Sequence, residues 1–304
     1  MRPTKTSTTR DPLQKTASRV LSLATRALDV AVRNLDNARR IANFLRGRME
    51  FEVRPTDVFI SSYPRSGTTL TQWILYLLTH EEQPDPAHLT KVSPWFERSL
   101  AIGEVTASEL ERFPSPRVFK SHLPRQWLPD GARYIYVERD GLDVLVSYFH
   151  FYRAYLGFEG TLDDFYARFM DGRIQYGSWF EHVAGWRERA CDPDVLIVRY
   201  EDLLSDRKAS IERIIEFLGW ARDERWVDRA VIESSFDAMK RRESVFDHAT
   251  AVLLERGVSP ESFLRAGQSG RGEGALSNAQ VREIRERSST GRRLAIRGLA
   301  SFLQ

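Results

Sequence analysis

Apolar and polar positions alternate along this chain in blocks of two kinds. Between residues 18 and 45, apolar residues recur at steps of three and four: Val20, Leu21, Ala24, Leu28, Ala31, Leu35, Ala38, Ile41 and Leu45. That spacing predicts one long amphipathic helix, with Arg19, Arg26, Arg33, Arg39, Arg40 and Arg46 lying largely off the stripe. Short apolar runs take over at residues 57–62, 117–120, 133–138 and 195–199, each the length of a buried strand. Helical spacing returns between and after them, at residues 70–79, 143–152, 162–170, 178–189, 207–218 and 277–288. Strands alternating with helices predict an α/β fold of P-loop-like character: a doubly wound parallel sheet flanked by helices, with its site at the strand carboxyl ends. We expect one domain over residues 51–304, preceded by a helical extension over 1–50 whose first sixteen residues are unstructured.

Composition narrows this picture. The chain has 304 residues, 42% hydrophobic and 29% charged, enough for one large core or two small ones and too apolar for a disordered protein. Its longest purely apolar run, residues 73–78, is far too short to cross a bilayer. The single cysteine, Cys191, excludes an internal disulfide framework and a multi-cysteine metal site, and it fits a reducing compartment; a cytoplasmic location is expected. The formal charge of +3 is unevenly spread. Residues 1–50 hold eleven basic and four acidic residues, a net +7, so the rest of the chain is −4. A basic arm precedes a mildly acidic body. The arm is compatible with a helix laid on the body by its apolar face, with membrane or partner contact through residues 18–45, or with a targeting segment. No apolar stretch follows its first charges, which argues against a secretory signal. No nucleic-acid-reading motif accompanies the arginines, so no nucleic-acid partner is expected.

The candidate chemistry begins where the strand at 57–62 runs into YPRSGTT (residues 63–69) and then a helix. Strand, small-residue loop and helix make an anion site, because loop amides and the helix dipole converge on one place. Gly67 permits close backbone approach, Thr68 and Thr69 add hydroxyls, and Arg65 adds a planar cationic fork. The Walker pattern G-x-x-x-x-G-K-[ST] is absent, which disfavours an ATP or GTP hydrolase of the usual kind. A second signal is YIYVERD (residues 134–140), a strand ending in Arg139, followed by a helix that carries Ser147 one turn in. Arg139 and Ser147 together suit a second phosphate.

In this order the two loops resemble the cytosolic sulfotransferase family, whose members move a sulfuryl group from 3′-phosphoadenosine 5′-phosphosulfate (PAPS) to an acceptor. The resemblance runs over residues 57–270 and includes VFKSHLP (118–124), YGSWFEH (176–182), YEDL (200–203), SSFDAM (234–239) and FLRAG (263–267). It implies that Arg65, Ser66, Gly67, Thr68 and Thr69 hold the 5′-phosphosulfate. Arg139, Ser147, Arg265 and Gly267 would close on the 3′-phosphate, and Tyr200 and Phe236, with Ser235 beside them, would bind the nucleoside. His122 would be the catalytic base, with Lys120 and Arg65 on the transferring charge. The chemistry agrees: in-line sulfuryl transfer, like phosphoryl transfer, rests on positioning and charge stabilisation plus a base for the acceptor hydroxyl. Lys120 and His122 are two residues apart and so face one side of a strand, and the chain uses only six lysines against 39 arginines. No metal is expected.

For the acceptor, Trp95, Phe96, Tyr148 and Tyr152 offer an aromatic lining that suits a small, largely apolar hydroxylated molecule; Phe149 and Phe151 are expected in the core, and Trp179 and His182 as core or support. The chain departs from the family at Arg65, where lysine is usual, at Leu70, where tryptophan is usual, and at Ala266. The glycine-rich stretch 267–274 lacks the usual Asp-Trp and predicts a mobile lid within 241–274. The family's dimer motif is also replaced, by Glu273, Ser277, Asn278 and Arg282. Two alternatives to sulfuryl transfer remain at this stage: an atypical ATP-dependent small-molecule kinase, or a non-catalytic nucleotide-binding protein with a membrane-associating arm.

Overall fold

The computed structural model describes residues 12–80, 85–247, 264 and 267–290. Its centre is a sheet of β1 (Val58–Ser62), β2 (Val118–Ser121), β3 (Arg133–Glu138) and β4 (Val195–Arg199). The spatial order is β2-β1-β3-β4 and every pairing is parallel. Side chains alternate between two cores. Phe59, Phe119, Tyr134 and Tyr136 face one of them, with Phe51, Phe96 and Trp186. Val58, Ile60, Val118, Ile135, Val137 and Val198 face the other, with Trp73, Ile211 and Ile214. Burial on both faces is why these strands read as continuous apolar runs.

Helices cover the sheet in chain order: α1 (Pro12–Glu50), α2 (Thr68–Thr79), α3 (Phe96–Ile102), α4 (Ala107–Glu111), α5 (Gly141–Tyr155), α6 (Leu162–Met170), α7 (Trp179–Arg187), α8 (Tyr200–Ser205), α9 (Arg207–Leu218), α10 (Glu224–Glu233), α11 (Phe236–Arg241) and α12 (Glu243–Phe246). Two further helices span Arg271–Ala275 and Asn278–Thr290. Local capping sets several starts. The Asp140 side chain accepts from the Leu142 and Asp143 amides at the head of α5, and Thr161 and Asp164 form a reciprocal capping box on α6. The expected strands and long helices are present within a few residues. Helices α3, α4, α8, α11 and α12 were not anticipated, since four to seven residues are too few to display a period. The ten-residue α10 was missed as well, although Val227 and Ala230, with the half-buried Trp226 and Val231 beside them, recur at helical spacing.

Helix α1 corrects two readings of the arm: it begins at Pro12, so residues 12–16, expected to be unstructured, are helical. Its stripe does not lie on the body: Val20, Leu21, Leu28 and Leu35 are 59–71% exposed. Only the last turns dock, through Ile41 near the end of the stripe and through Phe44 and Gly47 beside it. Phe44 is fully buried and meets Phe96 edge-on at 6.3 Å, and Gly47 lets the Leu100 side chain close to where a Cβ would stand. Arg48 Nε donates to the Trp127 carbonyl at 2.8 Å. An aromatic and a glycine decide this contact, and neither contributes to an aliphatic stripe. Among the described residues no helix is long and apolar enough to cross a membrane.

Candidate active site

The loop between β1 and α2 emerges where the strand order reverses, since β1 connects outward to β2 and β3 outward to β4. The carboxyl ends of all four strands meet there. A cavity at this point is lined by Arg65, Gly67, Thr68 and Thr69 from the loop, Lys120 of β2 and His122 just after it, Arg139 after β3 and Tyr200 after β4. Ser147 and Tyr148 of α5, Trp95, Phe236, Gly267 and Leu70 complete much of the wall.

The loop is built tightly. Gly67 has φ +104°, and a Cβ on it would lie 2.4 Å from the Tyr200 ring, so glycine is required both by conformation and by space. Arg65 takes a left-handed backbone at φ 71°, a strained state for a side chain that long. Arg139 Nη1 clasps the Arg65 carbonyl at 2.9 Å, while its guanidinium sits 4.4 Å above the Tyr200 ring centroid. Arg65 Nε donates to Ser147 Oγ at 3.3 Å, and its guanidinium lies over Phe151. The two anion-binding signals of the sequence therefore form one connected cluster. Four polar side-chain atoms in or beside it, Ser66 Oγ, Arg139 Nε, Arg207 Nε and Ser234 Oγ, are buried with no partner among the described residues. Buried donors without acceptors at a cationic cavity fit an anionic ligand.

His122 is held at three points. Its amide donates to Glu97 Oε1 at 2.7 Å, its carbonyl accepts from His182 Nε2 at 3.0 Å, and its Nδ1 lies 2.8 Å from the Ser62 carbonyl. A carbonyl only accepts, so Nδ1 carries the hydrogen in neutral His122 and Nε2 carries the basic lone pair. Trp95 and Tyr176 pack the ring edge-to-face at 5.1 and 5.2 Å. His182 in turn accepts from the Tyr136 hydroxyl, and burial pulls its pKa down to about 4, which keeps it neutral. Lys120 stands beside His122 with Nζ 3.8 Å from the Trp95 ring centroid. Burial lowers its pKa to about 7, the nearby Glu97 pushes it back up, and Arg98 and Arg65 lower it further. Glu97 itself is wholly buried; desolvation raises its pKa against hydrogen bonds from the His122 amide and Trp95 Nε1.

Several expected site residues stand elsewhere. Phe96 is fully buried among Phe44, Phe51, Phe59 and Phe119, away from the cavity. Tyr152 lines a separate groove and its hydroxyl accepts from the Gln175 amide, because the helical turn from Tyr148 carries it past the mouth. Ser235 caps α11 by accepting from the Ala238 amide, while its neighbour Ser234 lines the cavity. Ser66 is buried within the loop and does not line the cavity. Phe151, expected in the core, lines the cavity; Phe149 is in the core. Arg265 and Ala266 lie outside the described residues. Sequence reasoning missed Glu97, Tyr176, Arg207 and Asp143. The Asp143 carboxylate accepts from Ser269 Oγ and the Gly270 and Gly272 amides, each at 2.8 Å, so the described part of the expected lid is tied to α5. Burial raises the Asp143 pKa, but the Gly272 and Gly270 amides, the Ser269 hydroxyl and Arg139 together lower it below its usual value.

Comparisons with known proteins address the family directly. A family model described as the sulfotransferase domain matches residues 55–291. The chain is 33% identical over 233 residues to sulfotransferase 1C2 of Rattus norvegicus, covering 72% of this chain and 77% of that protein. It is 37% identical over 229 residues to sulfotransferase 1A1 of Bos taurus, covering 69% and 77%. Among solved structures, retinol dehydratase in complex with androsterone and inactive cofactor PAP superposes with a TM-score of 0.71 at 24% identity, over 85% of this chain and 88% of that one. A mouse sulfotransferase complexed with PAP gives 0.66 at 24%, over 85% and 91%. At that identity the structural likeness speaks for the fold, whereas the family model and the sequence relatives reach further: this chain belongs to the sulfotransferase family.

Proposed function

We propose that this enzyme transfers a sulfuryl group from PAPS to the hydroxyl of a small, largely apolar acceptor, with His122 as general base. The observation that carries the reading is the bond from His122 Nδ1 to the Ser62 carbonyl, which leaves the basic Nε2 on a ring lining the cavity. In the transfer the acceptor oxygen forms a bond to sulfur, the bond from sulfur to the 5′-phosphate oxygen breaks, and the acceptor proton passes to His122. Lys120 and Arg65 would balance charge on the sulfuryl and leaving phosphate oxygens. Thr68, Thr69 and the Gly67 backbone would hold the 5′-phosphate, Arg139 and Ser147 the 3′-phosphate, and Tyr200 and Phe236 the adenine. The unpartnered buried donors at this site fit such a polyanionic nucleotide. Trp95, Tyr148, Phe151 and Tyr176 give the remaining wall its aromatic character, and an androsterone-like or retinol-like alcohol, each bound by retinol dehydratase, has matching chemistry. The extension over residues 1–50 is taken as separate from this chemistry, and the exposed free Cys191 suits a reducing, cytoplasmic setting.

His122→Ala tests the mechanism. Transfer should fall by at least about 1000-fold while PAP affinity stays within a few-fold, as expected for loss of a general base from an intact nucleotide site. Full activity in that variant would sink the assignment. Thermal shift with PAP and ATP tests the donor: selective stabilisation by PAP is expected, because a ligand that binds only the folded state raises its stability.

A further inference from the structure

Helix α1 carries a second pattern beneath its amphipathic stripe. Leu21, Leu28 and Leu35 repeat every seven residues, and Ala24, Ala31 and Ala38 repeat every seven between them. Ala42 and Leu45 extend the same row to four heptads. Arg19, Arg26, Arg33 and Arg40 keep the seven-residue interval on the opposite side. A strict heptad in three residue types fits a surface that follows another helix, because 3.5 residues per turn holds a seam against a partner helix.

The body does not cover this seam. Leu21, Leu28 and Leu35 are 65–71% exposed, and Ala24, Ala31 and Ala38 are exposed with them. Where α1 meets the body it uses Ile41, Phe44 and Gly47, while Ala38, Ala42 and Leu45 on the seam remain exposed alongside. One helix thus presents two faces, one spent on its own domain and one open along its length.

We propose that the open face pairs with the same face of a second copy of this chain, antiparallel, to form a dimer. Size complementarity selects the orientation. With Leu21 opposite Ala38 of the second copy, Leu28 falls opposite its Ala31 and Leu35 opposite its Ala24, so six successive layers each set one large residue against one small one. A parallel pair would alternate Leu–Leu with Ala–Ala layers and hold the helices at two different spacings. The flanks agree: Val32 faces its own copy, Ala27 faces its own copy, Arg39 faces Thr25, and no like charges meet. A lipid surface fits less well. Half the seam is alanine, α1 has no aromatic residue before Phe44, and Asp29 and Asp36 dilute the arginines of the outer side.

A contact of six layers is at the small end of specific interfaces, so the pairing should be reversible and concentration-dependent. Sedimentation equilibrium of the full chain from about 1 to about 200 μM should show the mass rising from 35.1 kDa towards twice that value. Leu28→Glu with Leu35→Glu should keep the chain monomeric at every concentration with its melting temperature unchanged, since both side chains are exposed; Arg26→Gln with Arg33→Gln should leave the dimer intact. Orientation is read by mixing a Leu21→Cys chain with an Ala38→Cys chain, both in a Cys191→Ser background: a mixed disulfide is expected, and neither chain alone should cross-link. A wild-type chain monomeric throughout overturns the proposal, as does dimerisation unaffected by the double glutamate. Co-sedimentation of a monomeric chain with phosphatidylserine vesicles would assign the face to lipid, and cross-linking of the Leu21→Cys chain with itself would overturn the antiparallel pairing.

Discussion

Lys120 shows how one residue ties the electrostatics of the site to a measurable pH dependence. Its burial brings the pKa to about 7, so near neutral pH the free enzyme is poised between charged and neutral lysine. An anionic nucleotide placed against it favours the charged form and must therefore draw a proton from solvent above pH 7. PAP affinity should be flat below about pH 6.5 and fall above pH 7 towards tenfold per unit, with proton uptake approaching one at pH 8 when titrations are compared in buffers of different ionisation enthalpy. Lys120→Met should bind PAP more weakly at pH 6 and lose most of that slope. The stability sign is opposite. An unfolded lysine titrates near 10.4, so between pH 7 and pH 10 the unfolded chain binds more protons and this residue adds stability as pH rises. The difference in melting temperature between wild type and Lys120→Met should accordingly change across that window and be constant below it. Glu97 belongs to the same balance, since its charge raises the Lys120 pKa and its Oε1 receives the His122 amide. Glu97→Gln keeps the hydrogen bond to that amide but drops the charge. We expect kcat to fall by about tenfold and the pH at which PAP affinity begins to decline to move below 7, a shift that loss of packing alone would not produce. His122 and Lys120 were legible because their spacing and company are written in one short stretch. Glu97 was not, because nothing in a sequence marks a carboxylate that burial and two hydrogen bonds will turn into a support.

At the scale of elements, the amino end of α5 and the glycine-rich segment form the least anticipated contact in the fold. Asp143 reads in the sequence as an ordinary acidic residue in a first helical turn, and 267–274 reads as a mobile lid because glycines usually mark freedom. Here a glycine marks closeness. A Cβ on Gly272 would stand 2.3 Å from the Leu142 carbonyl carbon and 2.6 Å from the Asp143 nitrogen, so the segment Arg271–Ala275 can lie directly on the backbone of α5 only without a side chain there. Gly272→Ala should lift that segment, with PAP affinity falling about tenfold or more while kcat at saturation changes less. Asp143→Asn should act through the same joint. The amide keeps one oxygen where the carboxylate offers two to three donors, and loss of hydrogen bonds to a charged acceptor costs about 1.5–3 kcal/mol. Limited proteolysis should then cut sooner within residues 267–275. For the wild type, the lowered Asp143 pKa means that this contribution is present above about pH 4, the usual carboxylate range, and is lost as pH falls through the folded value. The strands and the longer helices were legible for the converse reason. Each of them buries a face long enough to impose its period on the sequence, whereas contacts made by glycine backbones and caps leave no periodic trace.

For the whole molecule, charge and burial divide the chain at a different point from the one composition suggests. The excess of positive charge ends near residue 50, but the body begins earlier. Phe44 is fully buried against Phe96, Gly47 receives Leu100, and Arg48 Nε and Nη2 donate to the carbonyls of Trp127 and Leu128. The last turns of α1 are therefore part of the core that backs β1 and β2, while residues 19–36 are exposed. Two truncations separate these parts. Removal of residues 1–36 takes away the exposed length of the helix and no buried aromatic. It should leave kcat, PAP affinity and the melting temperature at dilute concentration unchanged, the last within about 2 °C. Removal of residues 1–50 also deletes Phe44, and loss of a buried phenylalanine costs about 3–5 kcal/mol before the Arg48 bonds are counted. At roughly 2–4 °C per kcal/mol for a domain of this size, the melting temperature should drop by about 10 °C or more, and activity should be lost on warming rather than at the chemical step. Scanning calorimetry and initial rates on the two truncations decide the matter. Equal melting temperatures would show that the boundary lies at residue 50 after all and that the turns containing Phe44 contribute nothing to the core.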